Sequence, residues 1–250
     1  MSKFIFPIVR VDRDGKATAL AGTAFPITPG GGLVTCRHVV DIADDDGQRI
    51  PTAVMDRDRL IQIAEPVYLD APGWDMAFLP AVLGREHPHY FPLLPLGNTL
   101  IGRDVYSIGY FNAGGQIQRG YFAGSVVSWR GAETRSNLLG FAGSELLELV
   151  LPYPVIEGLS GAPVLTDRNG PKVVGMCRGS ESQRVLAQEL TETRDETFHY
   201  KETLHRIVEF GISYDHSSLR SFLKGVSVLE PSASGYVETD GQAEIPGLED

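Results

Sequence analysis

The chain has 250 residues, 42% hydrophobic and 22% charged, which is enough to bury a substantial core. A net charge of -10 argues against nucleic acid or an anionic membrane as the main partner, because either is normally met with a basic patch. No apolar run approaches the roughly 20 residues of a membrane span, the N-terminal run is too short for a signal peptide, and two cysteines imply no disulfide framework, so a reducing cytoplasm is the expected compartment.

Twenty-eight glycines and 16 prolines favour many turns and short strands over long helices. In chain order, Phe4 to Val11 reads as a strand, DRDG at 12–15 as a turn, and Ala17 to Ile27 as the returning strand of a hairpin. After a Pro-Gly break at 29–32, Leu33 to Cys36 forms a short strand that runs into Arg37 and His38. Thr52 to Met55 and Gln62 to Tyr68 alternate as strands. The aspartates at 44–46 lack the ligand spacing of a calcium loop and read as a solvated turn. Asp75 stands at the head of the apolar segment Met76 to Leu79, an awkward place for a carboxylate unless a donor such as a histidine N–H compensates it. His87 and His89 flank Pro88 without a second ligand pair at zinc spacing and are read as surface residues.

A second β unit is expected from Gly102 to Tyr110, Tyr121 to Trp129, Leu146 to Leu151 and Pro171 to Cys177. The segment 180–206 is polar, charged and free of Gly and Pro, so it is expected to be helical or a mobile excursion. Ile207 to Tyr214 returns to β patterning, and Ser217 or Ser218 is expected to cap a short helix through Leu223. Beyond it, 226–250 is acidic, broken by Pro, Gly and Ser, and expected to be flexible. Cys36 and Cys177 both sit in apolar runs and read as inert buried thiols.

The stretch EGLSGAP at 157–163 sets Ser160 between glycines, which allow a sharp turn and bring main-chain N–H groups near the hydroxyl. With His38 and Asp75 it completes the order His, Asp, Ser, which differs from the Ser, Asp, His order of the α/β-hydrolases. GTAF at 22–25, LVTCRHVVD at 33–41, WDMAFL at 74–79, GLSGAPV at 158–164, VVGM at 173–176 and FGISYDHSSLRSFL at 210–223 then resemble successive signatures of the chymotrypsin/trypsin-like serine proteases. The likeness extends to the protease domain of HtrA enzymes, without a PDZ domain after Lys224. It implies an all-β fold of two six-stranded Greek-key barrels, at about 1–95 and 96–225 of a single protease domain 1–225, with a helical insertion at 180–206 and a short C-terminal helix. It also implies a bacterial source.

By the same resemblance, His38 is the general base, Asp75 its orienting carboxylate and Ser160 the nucleophile, with the backbone N–H groups of Gly158 and Ser160 as the oxyanion hole. The specificity pocket falls to Pro154 and Val155, six and five residues before the serine, with Gly211 and Ser213 as walls. No carboxylate stands at 154, so a medium or large apolar substrate side chain is expected, although Glu157, Glu181 or Asp215 could reach in. Leu159 stands where zymogen-activated relatives carry Asp, so activation is not expected to use a freshly cut N-terminus. The expected function is endoproteolysis of a restricted protein or peptide substrate, with control through the 180–206 insertion or a partner. Neither cofactor nor metal is required. A non-catalytic peptide-binding module on the same fold is the alternative, and the intact triad speaks against it.

Overall fold

The computed structural model describes residues 4–28, 30–57, 59–63, 65–71, 73–80, 82–83, 90–95, 100–132, 146–167, 170–195 and 198–228. The histidines at 87 and 89 and most of the acidic C-terminal stretch lie outside them.

Two antiparallel sheets dominate. The first is built from β1 (Phe6–Val11), β2 (Ala17–Pro26), β3 (Leu33–Thr35), β4 (Thr52–Asp56), β5 (Arg59–Gln62) and β6 (Ala77–Leu79), in the order β5-β4-β1-β2-β3-β6. A one-turn helix, α1 (Arg37–Val40), follows β3 directly and carries His38. The second sheet contains β7 (Asp104–Ala113), β8 (Gln116–Ser125), β9 (Ser128–Ala132), β10 (Leu146–Leu151), β11 (Pro163–Thr166), β12 (Lys172–Asp195) and β13 (Phe198–Asp215), in the order β8-β7-β11-β12-β13-β10-β9. The all-β expectation therefore stands, with seven strands in the second sheet where six were expected.

Two boundaries move for local reasons. The strand read at 62–68 sits earlier, at β5, because Arg57 takes a left-handed conformation (φ 56°) and closes a tight hairpin straight after β4. The run read as one strand at 121–129 is split between β8 and β9.

The larger correction concerns 180–206, which is a β-hairpin and not a helix. β12 and β13 pair from Gly175–Asp215 out to Asp195–Phe198, with bulges between Cys177 and Gly179, Leu186 and Gln188, and Thr193 and Asp195. Its Gln, Glu and Leu content suits a helix, but both strands leave the barrel already hydrogen-bonded, so each further residue extends a nucleated ladder. Thr191, Thr193 and Tyr200 suit that ladder as β-branched or aromatic residues.

After β13 comes α2 (His216–Gly225), whose apolar face buries Leu219, Phe222 and Leu223. Its cap is Asp215 and not either expected serine: the Asp215 carboxylate accepts the Ser218 N–H at 2.8 Å. The Ser218 hydroxyl instead ties the helix to β10, accepting from Leu147 N and donating to Leu147 O. One apolar core runs across both sheets, joining Phe25, Val34 and Val39 of the first half to Ile108, Met176 and Tyr214 of the second. The seam between the sheets is thus a packed interface.

Candidate active site

His38 reaches the seam because Val39 and Val40, on the inner face of α1, are fully buried and turn the opposite face outward. Asp75 grips that turn three times. Its carbonyl accepts Arg37 N–H at 3.1 Å, its Oδ1 accepts the His38 N–H at 2.9 Å, and its Oδ2 lies 2.6 Å from His38 Nδ1. A carboxylate can only accept, so the imidazole presents its proton at Nδ1 and leaves the Nε2 lone pair outward. Asp75 is held in turn by the Tyr214 hydroxyl, which accepts its backbone N–H at 2.9 Å.

Ser160 enters from the second half on a turn whose main-chain bonds are unevenly used. The N–H groups of Leu159, Gly161 and Ala162 bond internally, to the carbonyls of Ile156, Cys177 and Leu159. Those of Gly158 and Ser160 have no acceptor among the described residues. Gly158 stands at φ +91°, a conformation strained for any residue with a Cβ. Leu159, wholly buried in the second-sheet core, pins the turn from below.

Thr23 fastens this turn to the first sheet. Its N–H donates to the Ser160 carbonyl at 2.9 Å, its Oγ1 donates to the Gly158 carbonyl at 2.8 Å, and the same oxygen accepts the Tyr110 N–H at 3.0 Å. The Cys177 carbonyl is a second joint, accepting from Gly161 N–H at 2.8 Å and from Cys36 Sγ at 3.2 Å. One oxygen thus bonds the residue after Ser160 and the residue two before His38. The Ser160 hydroxyl itself donates to the Arg178 carbonyl at 3.3 Å and makes no hydrogen bond to His38 in this state.

Burial pushes the Cys36 thiol well above its ordinary range, reinforced by Asp75 and Cys177, and pushes Cys177 up to about 12. Both stay protonated and serve as packing. Donor atoms of Cys36, His38 and Asp75 lie within 4.8 Å of one another, the spacing of a metal-ligand group. The histidine and aspartate already bond each other there, and the thiol is not a ready ligand, so the set fits a hydrogen-bonded pair better than an ion.

A cavity of about 220 Å³ lies beside the serine turn, lined by Pro154, Val155, Ile156, Ser180, Glu181, Ser182 and Glu209. Pro154 and Val155 are where the sequence placed them. Gly211 packs behind Val155, against the Tyr153 carbonyl, and Ser213 is buried with its hydroxyl on the Tyr214 carbonyl, so neither lines the space. Of the three carboxylates weighed from sequence, only Glu181 lines it, since Asp215 caps α2 and Glu157 points to solvent. Glu209 was missed because it enters from the strand opposite Ser182. Ser180 straps the two walls, accepting Val155 N–H at 2.7 Å and donating to Val155 O at 3.2 Å.

Among the described residues, no helix is long and apolar enough to cross a membrane. A family model described as a trypsin-like peptidase domain matches residues 22–176. The fold is similar to that of the Rv3671c protease of M. tuberculosis in its active form, with a TM-score of 0.55, 18% identity, and coverage of 93% of this chain and 85% of that one. An inactive serine-to-alanine mutant of the same protease gives 0.54 at 18% identity, covering 92% and 89%. The HtrA-type protease AlgW, solved with a decapeptide, gives 0.54 at 16% identity, covering 90% of this chain and 65% of that one. A comparison with curated protein sequences finds no match. With the family model spanning more than half its length, the chain belongs to the trypsin-like peptidase domain family and is a serine protease.

Proposed function

We infer that the protein is an endopeptidase working through His38, Asp75 and Ser160. The observation that carries this reading is the 2.6 Å His38–Asp75 contact, which sets the imidazole tautomer and leaves Nε2 free as a base. After substrate entry the Ser160 hydroxyl leaves the Arg178 carbonyl and gives its proton to Nε2 as the oxygen attacks the peptide carbonyl. The idle N–H groups of Gly158 and Ser160 receive the developing oxyanion, each contributing on the order of 3 kcal/mol to the transition state. His38 then returns the proton to the leaving amine, and water, activated by the same base, hydrolyses the acyl-enzyme. A fluorophosphonate probe tests this directly. Wild-type protein is expected to be labelled and Ser160→Ala is not, whereas an unlabelled wild type would leave a peptide-binding module.

The cavity supports a narrower statement about substrate. Glu181 and Glu209 both line it, and the acidic Glu209 supports a basic substrate side chain there, in place of the apolar one expected from Pro154 alone. Both glutamates are exposed, so the preference is modest. In a peptide-library cleavage profile, Glu209→Gln is expected to lower kcat/KM for Lys and Arg substrates by about fivefold, leaving apolar ones unchanged. A wild-type profile led by apolar residues would overturn it. The base of the 180–206 hairpin supplies one wall, so a partner gripping the hairpin acts on that pocket. The same profile, repeated with the hairpin's outer part replaced by a short turn, reads that control.

A further inference from the structure

The register of β12 against β13 slips between Cys177 and Gly179, which makes Arg178 the extra residue of a β-bulge. A bulge re-aims a side chain and frees a main-chain group from the ladder. Both ends of Arg178 are used. Its carbonyl accepts the Ser160 hydroxyl at 3.3 Å. Its guanidinium is ion-paired with Glu148 and lies over the Tyr214 ring, 5.4 Å from the centroid. Tyr214 in turn accepts the Asp75 N–H and donates to the Gly73 carbonyl at 3.3 Å. One residue thereby meets the nucleophile directly and the aspartate loop through a single ring.

Glu148 makes the arrangement unusual. It is 1% exposed in the apolar strand β10, directly opposite Tyr214, where an apolar residue would cost nothing in desolvation. Burial works against the Arg178 charge, but Tyr214, Glu148 and Asp75 outweigh it and hold the arginine more firmly charged than usual. A buried acid that anchors a cation beside the serine turn suggests that the cation matters where it stands.

We propose that Arg178 is a positioning residue of the active site: its bulged carbonyl parks the Ser160 hydroxyl, and its guanidinium, clamped by Glu148 and Tyr214, steadies the Asp75 loop. This rests on the triad reading above.

The test is the rate of fluorophosphonate labelling, resolved into probe binding and the bond-forming step. Arg178→Met with Glu148→Gln removes both charges of the pair together. This variant is expected to label about tenfold more slowly through the bond-forming step, with probe binding unchanged. Arg178→Lys, which keeps the charge and the carbonyl, is expected to keep the wild-type rate. Glu148→Gln alone loosens the guanidinium and is expected to slow the same step by about threefold. If the double variant fails to fold, the contrast between the two single variants decides. Wild-type rates in all variants, with only the melting temperature changed, would reduce Arg178 to a structural residue. Absence of labelling in the wild type would instead remove the triad reading itself.

Discussion

Asp75→Asn is expected to slow fluorophosphonate labelling of Ser160 by about four orders of magnitude while the fold stays intact. The two carboxylate oxygens of Asp75 accept from different donors, Oδ1 from the His38 backbone N–H and Oδ2 from its ring Nδ1. An amide has one acceptor oxygen and one donor group. With the oxygen kept on the backbone N–H, the NH₂ faces Nδ1, so the ring must accept there and move its proton to Nε2. That tautomer cannot take the Ser160 proton. The opposite orientation sets NH₂ against the His38 N–H and loosens α1, which is also unproductive. Both cases leave the Tyr214 hydrogen bond to the Asp75 backbone untouched, so the melting temperature should move little. Labelling of Asp75→Asn within tenfold of wild type would remove Asp75 from the mechanism.

Gly161→Ala carries the largest expected cost in stability, about 3–5 kcal/mol. Gly161 sits at φ +84°, which disfavours any Cβ, and an added methyl would fall well inside van der Waals contact of the Thr23 carbonyl oxygen and Thr35 Oγ1. Neither neighbour can retreat. The Thr35 hydroxyl donates to that Thr23 carbonyl at 2.7 Å, and Thr23 is the joint holding the serine turn to the first sheet. Against a total stability of about 5–15 kcal/mol, such a loss is expected to lower the melting temperature by roughly 10 °C or more. Gly170→Ala is the control, since its φ of +89° is equally unfavourable but nothing lies within 4 Å of the added atom. Its cost should stay near 1–2 kcal/mol. Equal melting temperatures for the two variants would mean that the Thr23 joint yields, and that the two halves are less firmly coupled than the hydrogen bonds indicate.

The failures of the sequence reading share a cause with these effects. Thr23 lies inside GTAF, a segment that resembled the family, yet its three hydrogen bonds to Ser160, Gly158 and Tyr110 reach partners 87 to 137 positions away along the chain. Glu148 in LLELVL was a visible irregularity, a carboxylate in an apolar strand, but its partner is 30 positions on. The polar hairpin at 180–206 was misread because local composition was weighed without the strand beside it. In contrast, α2 was found from its own pattern and only its cap was misplaced by a few residues, as expected of a feature set by neighbouring groups.

The sequence by itself determined the all-β class, the chain order of His38, Asp75 and Ser160, and the glycine-bracketed turn, because alternation, special backbone conformations and residue chemistry are local properties. Only the tertiary structure decided what surrounds them: the shared Cys177 carbonyl, the Thr23 joint, Glu181 and Glu209 at one cavity, and the Arg178 bulge between Ser160 and Tyr214. These depend on register between strands distant in sequence. A one-residue slip would turn each of those side chains to the other face, and no single segment encodes its own register.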